Sequence, residues 1–495
     1  MHSHGHRKPD HAYEGSGAHP PAPHRPTTAI PSHFKRLLGL LCVAQLMVIL
    51  DITAVNVALP DMAKSLSIRG GTIAWAITSY SLVFGSLLLL GGRLADLVGR
   101  RRVFMTGLAL FTLASVAAAS ADSEAALFAA RAAQGLGAAL LSPAALSIIM
   151  ATITDGHQRA HALGLWGAVG GAGAAVGVLL GGALTSAIGW EAIFLINVPV
   201  GLALGAAALH IVSADAAAPR WSGLDLLGAL LATASLGTLV FALSQASSAG
   251  WASVQTLGLG GLGLAGLGVL VVVELHTERA LIRIQRLSDR AVGGGFLMML
   301  AVSSVLFGSF LLVSLYMQDA LATGPMATGL AFLPLAIALA AGVHVGTQLV
   351  TRAGVRLPMA SGFAVAGAGM LLLSGVDTGG SYLSDVLPGM LVTGAGLGVV
   401  LVSVSVSVMT GARDDETGML SGLNTTGHEI GGSIGIATFA TIATETTGHL
   451  AGGIGDAFVV AAAVAGTASL IALIVLPSAT TFLPKLRLAP RVAVH

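Results

Sequence analysis

Fourteen stretches of about 20 apolar residues follow one another along the chain. They fall at 37–58, 72–91, 103–121, 125–150, 162–185, 192–212, 225–245, 254–274, 291–315, 326–350, 357–375, 384–409, 426–445 and 456–480. A helix of that length is as long as the hydrocarbon core of a bilayer is thick. None of the stretches alternates polar and apolar residues with a period of two, so the spanning element is the helix and not the barrel strand. The chain is therefore read as all-α and integral to a membrane. Its composition agrees: 55% of residues are hydrophobic and only 9% are charged, against about 25% charged in soluble domains. So few charges exclude a soluble enzyme and a nucleic-acid-binding domain, and the net charge of +1 points to no acidic partner. The single cysteine, Cys42, excludes an internal disulfide framework and any multi-cysteine metal site.

Charge sorts the two ends of the spans. With odd-numbered spans running outward, the inner segments hold 21 of the 24 Lys and Arg residues. The outer loops hold Lys64 and Arg69, and Arg131 falls within a span. This positive-inside bias places both termini in the cytoplasm and the protein in the cytoplasmic membrane, with an even number of passes. No cleavable signal peptide is visible. Residues 1–36 read as a disordered cytoplasmic tail rich in His and Pro, with His2, His4, His6, His11, His19, His24 and His33. Such histidines hold transition metals weakly at most, and no specific metal site is expected. Residues 481–495 form a second cytoplasmic tail.

The segment between spans 2 and 3 is GRLADLVGRRR, residues 92–102, and that between spans 10 and 11 is TQLVTRAGVR, residues 347–356. Aligning Gly99 with Gly354 also pairs Leu94 with Leu349 and Arg101 with Arg356. Each segment then lies between the second and third spans of a six-span unit. The expected organisation is a six-helix half at 37–212, two inserted helices with a linker at 213–290, and a second half at 291–480. Related halves around a central site are the usual plan of a secondary transporter.

Ionisable and small residues within the spans mark candidate sites. Asp51 lies in LDITAVNVALP, residues 50–60, and an acid inside an apolar helix is costly unless paired, neutral or wetted. Burial favours its protonated form and a nearby cation its carboxylate, which suits a proton-coupled switch. Arg131 lies in LFAARAAQGLGAALLSP, residues 127–143, beside Gln134. Its guanidinium stays charged and needs a partner. Counted from the outer ends of spans 1 and 4, at about 1.5 Å per residue, Asp51 and Arg131 lie at similar depth, so Arg131 is expected to tune the protonation of Asp51. Gly92, Asp96, Gly99, Arg100 and Arg101 form a tight connection in which Asp96 is suited to accept hydrogen bonds at a helix N-terminus. Gly173, Gly177, Gly181 and Gly182 occur in GAAVGVLLGGAL, residues 173–184; the spacing of four makes a smooth face for close helix packing. His428 and Glu429, placed near the cytoplasmic end of span 13, and His344 in span 10 are further ionisable candidates.

These motifs, in this order and in these spans, resemble the major facilitator superfamily, specifically its fourteen-span drug:H⁺ antiporters (the EmrB/QacA type). Trp75 to Tyr80, GWEAIFLINVPVG (189–201) and SLYMQDALATGPMATGLAFLP (314–334) are similar to the family as well. Departures are Leu97, Val178 in place of a proline, Glu191, Ala192 and His428. The resemblance implies that residues 92–102 latch the two halves on the cytoplasmic side against span 13, that the span-5 glycines are the antiporter motif, and that the protein exports small amphiphilic compounds by alternating access, as a monomer. No nucleotide-binding loop, metalloprotease motif or nucleophile elbow is present. The energy source is therefore expected to be a proton gradient with no cofactor; the partners are lipid, protons and a small-molecule substrate. A transporter of this fold dedicated to one endogenous metabolite, or a non-transport membrane protein, are the rival readings.

Overall fold

The computed structural model describes residues 1–2, 32–68, 73, 75–153, 155–215, 225–277, 280–413, 416–445 and 450–487. The histidines from His4 to His24, Arg69, Arg220 and Arg279 lie outside the described residues, as do the last eight residues and the Val178 side chain. No strand occurs among the described residues. The helices in chain order are α1 (Ser32–Ser65), α2 (Trp75–Val98), α3 (Arg100–Ala119), α4 (Glu124–Thr152), α5 (Gly156–Ala187), α6 (Glu191–Leu195), α7 (Asn197–Ile211), α8 (Leu226–Ala249) and α9 (Val254–His276). They continue as α10 (Ile284–Leu287), α11 (Arg290–Leu315), α12 (Pro325–Ala331), α13 (Leu333–Ala353), α14 (Arg356–Leu373), α15 (Leu387–Met409), α16 (Thr417–Glu445), α17 (Leu450–Val475) and α18 (Ala479–Arg487). Among the described residues, twelve helical segments are long and apolar enough to cross a membrane. Two further long helices, α5 with 32 residues and α16 with 29, lie at the expected fifth and thirteenth positions.

Two expected spans are each broken by a proline. Pro199 cannot donate to the carbonyl four residues earlier and its ring crowds that carbonyl, so the 192–212 stretch splits between α6 and α7, with Asn197 opening the second piece. Pro334 acts in the same way between α12 and α13. Three boundaries also differ from expectation. The segment at 92–102 is mostly helix, because α2 runs on to Val98 and α3 begins at Arg100. Gly99 alone makes the turn, with φ of +120°, a value that glycine adopts without a side-chain clash. The first helix runs past Pro60 to Ser65, which leaves Asp51 near its middle. The thirteenth begins at Thr417 and not near 426.

Packing repeats along the chain. Helix α2 packs on α4, α4 on α3, α1 on α5 and α3 on α7. The same pattern recurs as α13 on α15, α15 on α14, α11 on α16 and α14 on α17. The two sets meet through α2 and α4 against α16, and through α13 and α15 against α5. These contacts are exchanged by the same correspondence, as a pseudo-two-fold axis requires. The Arg101–Arg356 pairing read from sequence has a structural counterpart. Arg101 donates to the carbonyls of Leu209 (3.0 Å) and Val212 (2.9 Å) at the end of α7, and Arg356 donates to Leu476 O (2.8 Å) at the end of α17. Each cation faces a helix C-terminus, where the dipole favours it, and Gly99 and Gly354 both have positive φ. Helix α8 lies against α2 and α16, and α9 packs on α8. Most of the remaining α9 surface is exposed apolar side chain, such as Leu257 and Val272.

Candidate functional site

Asp51, Arg131 and Gln134 come together in the interior, and each is almost completely buried. Arg131 Nη1 pairs with Asp51 Oδ2 and also donates to Gln134 Oε1 at 2.8 Å. Gln134 Nε2 donates to Asp51 Oδ1 at 3.0 Å. The pair expected from helix depth is thus direct. Helix geometry explains it: Arg131 and Gln134 are three residues apart and share one face of α4, and α4 packs on α1.

Three further elements complete the network. Asn197, at the start of α7, donates through Nδ2 to Asp51 Oδ1 at 2.9 Å. Ser115 on α3 accepts from Gln134 Nε2 at 2.8 Å and donates to Phe111 O at 2.8 Å. Arg131 Nε donates to Ala76 O at 2.8 Å. The guanidinium carbon lies 4.4 Å from the centre of the Tyr80 ring, a cation–π distance. A buried charge is tolerable only when paired and hydrogen-bonded, and here both ions are. Asn197, Ser115 and Tyr80 escaped the sequence reading. The available signal was Asn197, a lone polar residue two positions before a proline in an apolar span. Replacing Asn197 by Ala removes a donor to a buried carboxylate. The expected cost is about 1.5–3 kcal/mol of stability, read as a lower thermal unfolding midpoint in detergent.

The glycine face of α5 seats the helix that carries Asp51. A β-carbon on Gly173 would meet Ile49 Cγ2 at 2.8 Å, one on Gly177 would meet Leu50 Cα at 3.3 Å, and one on Gly181 would meet Ala54 Cα at 2.7 Å. Gly182 lies one position on, about 100° around the helix, and off this face.

At the end carrying the arginine-rich turn, Asp96 accepts hydrogen bonds from the backbone amides of Gly418 (2.8 Å) and Met419 (3.0 Å). These are free donors in the first turn of α16, so the acid on α2 caps a helix of the other packing set. The receiving helix is the expected one, with its start nine residues earlier than read. Arg100 Nη2 donates to Thr417 Oγ1 at 2.7 Å, and Gly92 is in backbone contact with Gly418. Arg101 does not join this contact. It and Asp215 bind α3 to α7, with Asp215 accepting from the amides of Arg101 (3.2 Å) and Arg102 (3.0 Å).

A cavity of about 80 Å³ lies between the two packing sets, smaller than the roughly 300–1,000 Å³ of a drug-sized pocket. Its lining includes Ile52 and Thr53, which flank the Asp51 region, and His428 and Glu429 on α16. The expectation that His428 and Glu429 sit near a helix end is corrected. With α16 beginning at Thr417, they lie about 17 Å along it. His428 Nδ1 and Ser303 Oγ are 2.7 Å apart. His344 is not part of this assembly: it is on an exposed face of α13, with Nε2 2.9 Å from Gln348 Nε2.

Paired helical units with a cavity between them, and a buried ion pair on one of the helices that line it, define a polytopic membrane transporter. The model of the Major Facilitator Superfamily matches residues 41–436, and the chain belongs to that family. It is a transporter and not an enzyme. The chain is 37% identical over 418 residues to the puromycin resistance protein pur8 of Streptomyces alboniger, covering 83% of each chain. It is 36% identical over 431 residues to the cephamycin export protein CmcT of Amycolatopsis lactamdurans, covering 85% of this chain and 88% of that one. The solved structure of the human organic anion transporter MFSD10 superposes with a TM-score of 0.62 at 14% identity, over 90% of this chain and all of that one, and shows the fold alone.

Proposed function

We propose that this protein exports small amphiphilic compounds across the cytoplasmic membrane in exchange for protons, by alternating access. In this reading fourteen spans form two six-helix halves, 37–212 and 291–480, with two inserted helices between them. Both termini are cytoplasmic, and the working unit is a monomer driven by the proton gradient without a cofactor. The observation that carries the reading is the buried Asp51–Arg131 pair, whose acid is on α1, a helix that also lines, through Ile49, Ile52 and Thr53, a cavity between the two packing sets. Resistance and export relatives, to puromycin and cephamycin by their names, support the direction of transport.

Protonation of Asp51 removes the counter-charge of Arg131 and weakens the hydrogen bonds that hold α1 to α4 and α7. Because α1 seats on the α5 glycine face, and α5 packs on α13 and α15, movement of α1 is passed to the opposite half. In this reading the bonds from the α16 amides to Asp96 hold the cytoplasmic end shut, and their release opens the cavity to the cytoplasm. A Gly181→Val substitution wedges α1 from α5 at backbone contacts. It is expected to cost about 1–3 kcal/mol and to lower efflux in everted vesicles.

The test of the export reading is drug tolerance. Expression in a host lacking its own efflux pumps is expected to raise the inhibitory concentration of at least one of puromycin, lincomycin, ethidium and a cephamycin. Unchanged tolerance to the whole set, with the protein present in the membrane, contradicts the reading.

A further inference from the structure

We infer that Asp225 and Glu274, on the two inserted helices, hold one proton between them and form a proton-binding site outside the central cavity. The inference goes beyond the export reading and needs no part of it. Asp225 caps the start of α8, where its Oδ1 accepts from the amide of Gly228 at 2.8 Å. Glu274 lies in the last turn of α9, which packs on α8. It is only 3% exposed, and its Oε2 accepts from the amide of Ile282 at 3.3 Å. The other two oxygens, Asp225 Oδ2 and Glu274 Oε1, are buried, and neither has a hydrogen-bond partner among the described residues. Both close on one point: a β-carbon on Gly228 would lie 2.6 Å from the first and 2.5 Å from the second. Glycine leaves that point open.

Two carboxylates that share a site without a donor repel each other and cannot both stay ionised. Buried acceptors without donors are also uncommon in a finished core. One proton removes both faults, because the protonated carboxyl donates to the remaining carboxylate, as in the carboxyl pair of aspartic proteases. A single negative charge is left, and the surroundings suit it. The start of α8 favours an anion, and Arg93 on α2 lies within electrostatic reach of both Glu274 and Asp96. Arg93 Nε is buried and has no hydrogen-bond partner. The neighbouring charges are engaged elsewhere. Arg283 and Arg286, beside and within α10, pair with Glu416, and the exposed His276 has its Nδ1 2.8 Å from Val272 O on its own helix. Among the described residues, no group of three His, Cys, Asp or Glu side chains is placed to hold a metal ion. The proton therefore sets the charge that the inserted helices present to Arg93, on the helix that carries Asp96.

Infrared spectroscopy of the purified full-length protein in nanodiscs reads the site directly, because the carbonyl stretch of a protonated carboxyl is separate from the carboxylate bands. Near neutral pH the wild type is expected to show an acid band that both Glu274→Gln and Asp225→Asn remove. Either amide donates a hydrogen bond and relieves the remaining carboxylate of its proton. Gly228→Ala keeps both carboxyls and pushes a methyl group between them. It is expected to remove at least half of the band, which separates loss of sharing from misfolding of the acid variants. No difference in acid band between wild type and Glu274→Gln, a band kept in Asp225→Asn, or a band unchanged in Gly228→Ala would each overturn the inference. So would a band that disappears when sodium or potassium replaces choline in the buffer, which would give the site to a metal cation. The spectra are taken without substrate or gradient, so these outcomes are independent of whether the protein exports drugs.

Discussion

Asp51→Asn is expected to reduce ΔpH-driven efflux to background and to destabilise the fold as well. The substitution removes one charge of a fully buried pair and leaves the Arg131 guanidinium with neutral partners. Breaking such a pair from one side costs about 3–5 kcal/mol, which would be visible as a large drop in the unfolding midpoint in detergent. The stability loss and the transport loss have different causes, and a second variant separates them. Asp51→Asn combined with Arg131→Gln removes both charges and leaves neutral hydrogen-bonding groups in the pocket. The double variant is expected to recover much of the stability and none of the proton coupling. A folded double variant with wild-type dependence on ΔpH would remove Asp51 from the coupling mechanism.

The second large effect is expected at the crossing of α2 and α16. A β-carbon on Gly92 would collide with the carbonyl of Gly418 and come within 3.2 Å of the amide nitrogen of Gly422. Both are backbone atoms, so neither can rotate aside. Gly92→Val must push the two helices apart and draw the Gly418 and Met419 amides away from Asp96. Loss of two charge-assisted hydrogen bonds at about 1.5 kcal/mol or more each is about 3 kcal/mol, a shift of roughly 100-fold in the ratio of closed to open states. A cysteine placed at the cavity-lining Thr425, with Cys42 replaced by Ala, reports the shift. A charged maleimide applied from the cytoplasmic face should label the Gly92→Val protein many times faster than its parent, and efflux should fall in parallel. Equal labelling rates would mean that this crossing does not close the cytoplasmic end.

The architecture was legible because lipid leaves few choices: apolar length sets the helices, and arginines mark one side. The Asp51–Arg131 contact was legible for a related reason. Two costly charges at one depth in neighbouring helices must find each other. What the sequence hid follows from backbone geometry. The break before Asn197 depends on where the proline of α7 removes a hydrogen bond, and that break brings the amide to Asp51. The polar stretch before Thr425 reads as a loop by hydropathy, yet it is the first two turns of α16, stabilised by Asp96 from another helix. That long-range cap moved Glu429 from an expected helix end to the middle of the cavity lining. His344 shows the opposite error, since an ionisable residue in a span can face outward when its helix has an exposed side.

The most direct measurement of the account is drug accumulation in everted membrane vesicles without ATP, under an imposed pH gradient, acid inside. The account predicts accumulation of ethidium that starts with the gradient, collapses when nigericin dissipates it, and is absent with Asp51→Asn. Accumulation that persists after the gradient is dissipated, or that is unchanged in Asp51→Asn, would contradict proton-coupled export through this site.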